Sequence, residues 1–103
     1  MASDKQFKDY VSDVLPKGII TAKPMMGEYL LYYEGLLFGG IYDNRFLVKI
    51  TTGNEKYNLK KAIPYDGAKP MYEVDCDIGG EEIAEIVRAT VDSLKKEKRG
   101  KKQ

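Results

Sequence analysis

The apolar positions change rhythm three times along the chain. Near the start, Phe7, Tyr10, Val11, Val14 and Leu15 recur at i, i+3, i+4, i+7 and i+8, which sets them on one stripe of an amphipathic helix. Ser3 stands where an N-cap belongs, with Gln6 three residues on as its capping-box partner. Pro16 and Gly18 end the helix. The stretch "GIITAKP" then reads as a first strand reaching Lys23, and Pro24 suits only a strand end or a sheet edge.

From Met25 to Ile50 the chain turns to apolar runs broken by glycines and by Asp43-Asn44. Tyr29 to Tyr33 is β-prone, Glu34-Gly35 is a two-residue turn, Leu36 to Tyr42 returns, and Asp43-Asn44 tolerates the positive φ of a second tight turn. In the strand that follows, Phe46, Val48 and Ile50 alternate with Arg45 and Lys49. Such alternation marks a sheet covered by helices on one face only. Between Thr51 and Gly67 the pattern is poor: two turns of helix capped by Asn54, then a loop "IPYDGAKP" with a turn at Asp66-Gly67. "MYEVDC" resumes alternation, with Tyr72, Val74 and Cys76 on one side. After Gly79-Gly80 the helical period returns, and Ile83, Ile86, Val87, Thr90, Val91 and Leu94 share one stripe of a long final helix. Glu81 and Glu82 at its start and lysines at its end both suit the helix dipole.

Strands grouped between terminal helices predict an α+β fold: a largely antiparallel sheet of about five strands, flanked by an N-terminal and a long C-terminal helix. With 103 residues the chain has room for one core. The expected domain spans residues 1–94, and residues 95–103, "KKEKRGKKQ", are expected to form a flexible basic tail.

Charge sharpens that division. The tail carries six Lys/Arg and one Glu, whereas the rest has eleven basic and fifteen acidic residues. A basic tail on an acidic body can serve a nucleic-acid or acidic partner, but an acidic body discourages nucleic acid from lying along the folded face. No run of about 18 apolar residues is present to span a bilayer, and the first residues lack the basic start and apolar stretch of a signal peptide. The expectation is a cytoplasmic protein that does not engage a membrane. One cysteine fits a reducing compartment.

Candidate chemistry is sparse. Without histidine the usual neutral-pH base and the commonest metal ligand are missing, and the acidic residues do not follow a calcium-loop spacing. Neither catalytic nor cofactor nor metal-binding residues are assigned. Gly39-Gly40 falls within a strand, not between a strand and a helix as a phosphate loop requires; a bulge or the close approach of a helix explains it. The tyrosines Tyr29, Tyr32, Tyr33 and Tyr42, with Phe38, serve the core and its rim better than a base-stacking platform. Cys76 lies between Asp75 and Asp77, which should raise its pKa and blunt it, so packing is its expected role.

One segment carries a family likeness. Met25-Met26-Gly27-Glu28-Tyr29, then Leu31-Tyr32, the Gly35 turn, Leu37-Phe38-Gly39 and Phe46-Leu47-Val48-Lys49 together resemble the TfoX N-terminal domain family. "SDKQFKDYV" resembles that family's first helix and "PMYEV" its late Tyr-Glu strand. Met26 stands where an aromatic is usual, and Glu28 and Leu30 replace frequent glycines. The resemblance implies a secretion-chaperone-like α+β fold and, in full-length members with a separate C-terminal domain, regulation of natural competence genes. The expectation here is a stand-alone copy of the N-terminal domain. The expected function is a regulatory or protein-interaction domain without catalysis. The partner is expected to be another protein, a second copy of the chain included. The alternatives are a small enzyme using carboxylates and tyrosines, or a nucleic-acid module using the basic tail. Met26, Gly27 and Tyr29 are the candidate contact residues.

Overall fold

The computed structural model describes residues 5–15 and 20–100. Ser3, Pro16 and Gly18, to which the start and stop of the first helix were assigned, lie outside the described residues, as do residues 101–103. The elements run α1 (Lys5–Val14), β1 (Ile20–Met25), β2 (Glu28–Tyr33), β3 (Leu36–Tyr42), β4 (Arg45–Val48), β5 (Lys60–Ala62), β6 (Met71–Glu73) and α2 (Gly80–Gly100). Short 3-10 turns occupy Glu55–Tyr57 and Cys76–Ile78. This is the α+β architecture that the periodicity implies.

All six strands form one antiparallel sheet in the order β1-β2-β3-β4-β6-β5. Three two-residue turns build its first four strands. Met26-Gly27, Glu34-Gly35 and Asp43-Asn44 all have positive φ, between 49° and 85°, the conformation whose twist matches that of the strands it joins. Glycine and asparagine adopt it at little cost; Met26, at φ 51°, does not.

The register sorts the side chains onto two faces. Leu31, Phe38, Ile41, Phe46, Val48, Tyr72 and Val74 form one core with Val11 of α1, with Leu15 just after it, and with Ile83, Ile86, Val87 and Val91 of α2. The opposite face carries Leu30, Tyr32, Leu37, Tyr42, Leu47 and Met71 by the cross-strand pairing, and neither described helix contributes to it, since both pack in the core on the other side. The expectation of a sheet with helices on one side therefore holds.

A register shift between Leu31 and Tyr32 leaves Phe38 as an extra residue in β3, so the glycines next to it sit at a bulge. It is strand backbone and a ring, not a helix, that crowds them. A Cβ on Gly39 would collide with Leu47 O, and one on Gly40 would meet the Tyr42 ring and Tyr29 O.

Two stretches differ from expectation. β5 was not foreseen, because "KKA" shows no pattern of its own; it is a strand only through its pairing with β6. The segment after Thr51 is a single 3-10 turn, and Asn54 does not cap it. Instead the Asn54 side chain is fully buried. Its Oδ1 accepts from Thr51 N–H at 3.0 Å, and its Nδ2 donates to Lys49 O at 2.9 Å and to Thr90 Oγ1 at 2.8 Å. Beside it, Gly53 N–H donates to Ser93 Oγ at 3.1 Å, so the 51–54 loop is bonded directly to α2. That helix runs past Leu94 to Gly100, so residues 95–100 of the expected tail are helical.

Candidate functional site

Two concave regions and one exposed turn hold the residues with chemical or binding potential. The first concavity, about 480 Å³, opens where α1 meets the far ends of β4, β5 and β6. Tyr10 Oη donates to Asp77 Oδ1 across 2.7 Å, tying α1 to the 3-10 turn that precedes α2. Asp75 begins that turn by accepting from Asp77 N–H at 2.9 Å. The bond to the Asp77 carboxylate pushes the Tyr10 phenol up to about 12. Cys76, half-buried in the same cleft, has its thiol pushed up to about 11, first by burial and then by Asp75 and Asp77. Both groups are protonated at neutral pH. A thiol in that state is a poor nucleophile, which agrees with the packing role read from its parity, although Cys76 lies on a 3-10 turn and not on the strand.

The second concavity, about 500 Å³, lies on the helix-free face of the sheet. The loop from Ile63 to Pro70 folds back over that face. Arg45 holds it there, its guanidinium donating to Ile63 O at 2.9 Å and to Pro64 O at 3.4 Å while its Nε reaches Tyr42 O. Tyr65 closes against Tyr42 with ring centroids 6.1 Å apart at 52°. The groove between loop and sheet is walled by Leu37, Tyr42, Ile50, Tyr65, Pro70 and Met71. Its charged lining consists of Lys49 and Lys69, and among the described lining residues none is acidic. Burial raises the Tyr42 pKa, with the neighbouring Tyr65 and Glu28 adding to it.

The exposed turn is the one singled out by sequence. Met26 is 95% exposed at its tip, and Gly27 beside it is also exposed. Tyr29 is placed differently: it packs on the helix-side core, with Lys8 Nζ 5.9 Å above its ring. Met26 and Gly27 thus share the hairpin tip, while Tyr29 belongs to the core rim.

Among the described residues, no three His, Cys, Asp or Glu side chains gather as a metal site would need, and no helix is long and apolar enough to cross a membrane.

With this geometry in hand, the chain can be compared with known proteins. No protein-family model matches it, and no solved structure matches it. It is similar to the uncharacterized 12.7 kDa protein in the trpE 5′ region of Spirochaeta aurantia, with 33% identity over 78 residues that cover 73% of this chain and 68% of the relative. The chain belongs to that protein's family. Membership brings no activity with it, because that relative is itself uncharacterised, so the side chains must carry the functional argument.

The groove was not read from the sequence. Its signal was present in "IPYDGAKP", where Ile63 and Tyr65 are large side chains with apolar bodies in a segment that Pro64, Asp66-Gly67 and Pro70 otherwise mark as loop. What the sequence does not show is that Arg45 draws this segment onto the sheet.

Proposed function

We propose that the chain is a non-catalytic protein-interaction domain with a regulatory role, of the kind that the resemblance to the TfoX N-terminal domain family implies. The observation that carries the reading is the groove on the helix-free face. There Ile50 and Tyr65 remain 36% and 61% exposed beside buried Tyr42, and aromatic and aliphatic side chains grouped in this way are what partner proteins cover. In the first cleft the Cys76 thiol is pushed up by burial and by Asp75 and Asp77, which makes it a poor nucleophile and favours binding over thiol catalysis there.

The test is affinity capture from the native host with the full chain and with a Tyr65→Ser variant as parallel bait. A protein recovered stoichiometrically by the first bait and lost from the second is the expected result. Recovery of the same proteins by both baits, or turnover of a small molecule by the purified chain, overturns the reading.

A further inference from the structure

The charge and size of the groove define what it takes. The folded body is acidic outside its C-terminal stretch, yet the charged side chains that line the groove itself are Lys49 and Lys69, while Glu28, Asp43 and Asp66 line the adjoining concavity that shares Pro64 and Tyr65 with it. Lys49 is half-buried, so part of its stem packs with the apolar wall while its ammonium stays at the rim. The wall itself is aliphatic and aromatic, Leu37, Ile50, Tyr65 and Met71 among them.

Size narrows the occupant. Stable contact between globular faces engages about 20–30 residues on each partner, whereas eleven residues line this groove. A free small molecule is usually enclosed over about 70–90% of its surface, but this groove stands open along one side. A short extended segment fits both limits, because it buries one or two side chains and leaves its remaining surface to solvent or to the protein that carries it.

We propose that the groove holds a short segment of a partner protein in which one or two apolar side chains enter between Tyr65 and Leu37 while flanking carboxylates meet Lys49 and Lys69. This rests on the reading of the chain as an interaction domain. The apolar anchor supplies affinity, and the two ammonium groups select against basic segments and fix orientation, as charges at a rim do.

Selection of a random octapeptide phage library on the immobilised full chain tests it. Enriched sequences are expected to place Leu, Ile, Phe or Met next to Asp or Glu. A synthetic peptide of the enriched sequence should bind at least ten-fold more weakly to a Lys49→Gln/Lys69→Glu double variant and to Tyr65→Ser, and should weaken several-fold between 50 and 300 mM salt, roughly as Debye screening requires. Lys69→Glu alone, at an exposed position, should give an intermediate loss without any change in melting temperature, which separates lost recognition from lost folding. Enrichment without acidic residues, equal binding to wild type and variants, or no enrichment overturns the proposal. So does saturable binding of the apolar anion 8-anilinonaphthalene-1-sulfonate with no peptide selected, which would make the groove a small-molecule site. These outcomes are independent of the capture experiment, since a host partner can be found on another surface while the peptide selection fails.

Discussion

Asn54 and Thr90, 36 residues apart in the chain, are joined by a 2.8 Å hydrogen bond in a fully buried position. Thr90 completes the pair by donating to Ile86 O at 2.8 Å within α2. The loop after β4 is thereby fixed to the long helix by polar contacts inside an apolar core.

Removing either partner should be costly in different degrees. Thr90→Val leaves one Asn54 N–H unpartnered and should cost about 1–3 kcal/mol. Asn54→Ala strands both Thr51 N–H and Lys49 O, which its side chain now satisfies, and should cost about 2–4 kcal/mol. A double-mutant cycle by urea unfolding should return a coupling of about 1 kcal/mol. Additive losses would mean that the bond contributes nothing of its own.

Alanine should destabilise at both Gly39 and Gly35, but for different reasons and to different degrees. At Gly39 a Cβ would collide with Leu47 O of the paired strand, backbone that cannot rotate away, so Gly39→Ala should disrupt the β3–β4 pairing and cost more than about 2 kcal/mol. At Gly35 a Cβ meets open space but φ is +84°, so the cost should stay near 1 kcal/mol. Melting temperatures of the two variants check the order.

Met26 holds a left-handed backbone that asparagine tolerates far better. Its side chain, almost wholly exposed, has no packing to lose. Met26→Asn should therefore stabilise the fold by about 0.5–1 kcal/mol in chemical denaturation. If the same change weakens capture of a host protein, the strain at the hairpin tip is retained for contact.

Cys76 supplies a pH signature. Its folded pKa of about 11 exceeds the ordinary value of 9.0, so the folded state binds the thiol proton more tightly than the unfolded state. The stability linked to that proton is fully present below about pH 9 and is lost as pH rises toward about 11. The melting temperature should fall across that window, and less steeply in Cys76→Ala. At neutral pH the thiolate fraction is about 100-fold below that of an ordinary thiol; higher intrinsic nucleophilicity offsets part of this, so iodoacetamide should react on the order of ten-fold more slowly than with free cysteine. Modification at the rate of an unhindered thiol would contradict the burial of the side chain.

Wherever structure follows from neighbours in the chain, the sequence alone determined it. The turns at Glu34-Gly35 and Asp43-Asn44 were legible because few residues accept positive φ readily, and Gly35 and Asn44 are among them. The two helices were legible because a buried stripe repeats every three or four residues, and Ile83, Ile86, Val87, Thr90 and Val91 are indeed buried. The α+β class followed from the order of these elements. Asn54 shows where local reasoning ends: an asparagine before a helical turn is a good cap, yet this one is drawn into the core by Thr90, a partner no short window contains. Likewise β5 exists because β6 pairs with it. The groove is decided further still from local sequence, by Arg45 bonding to carbonyls 18 and 19 residues away and by Tyr65 settling on Tyr42. Local propensity fixes which backbone shapes are inexpensive; only the folded chain brings distant groups within hydrogen-bonding and ring-contact range, and the site is made of those contacts.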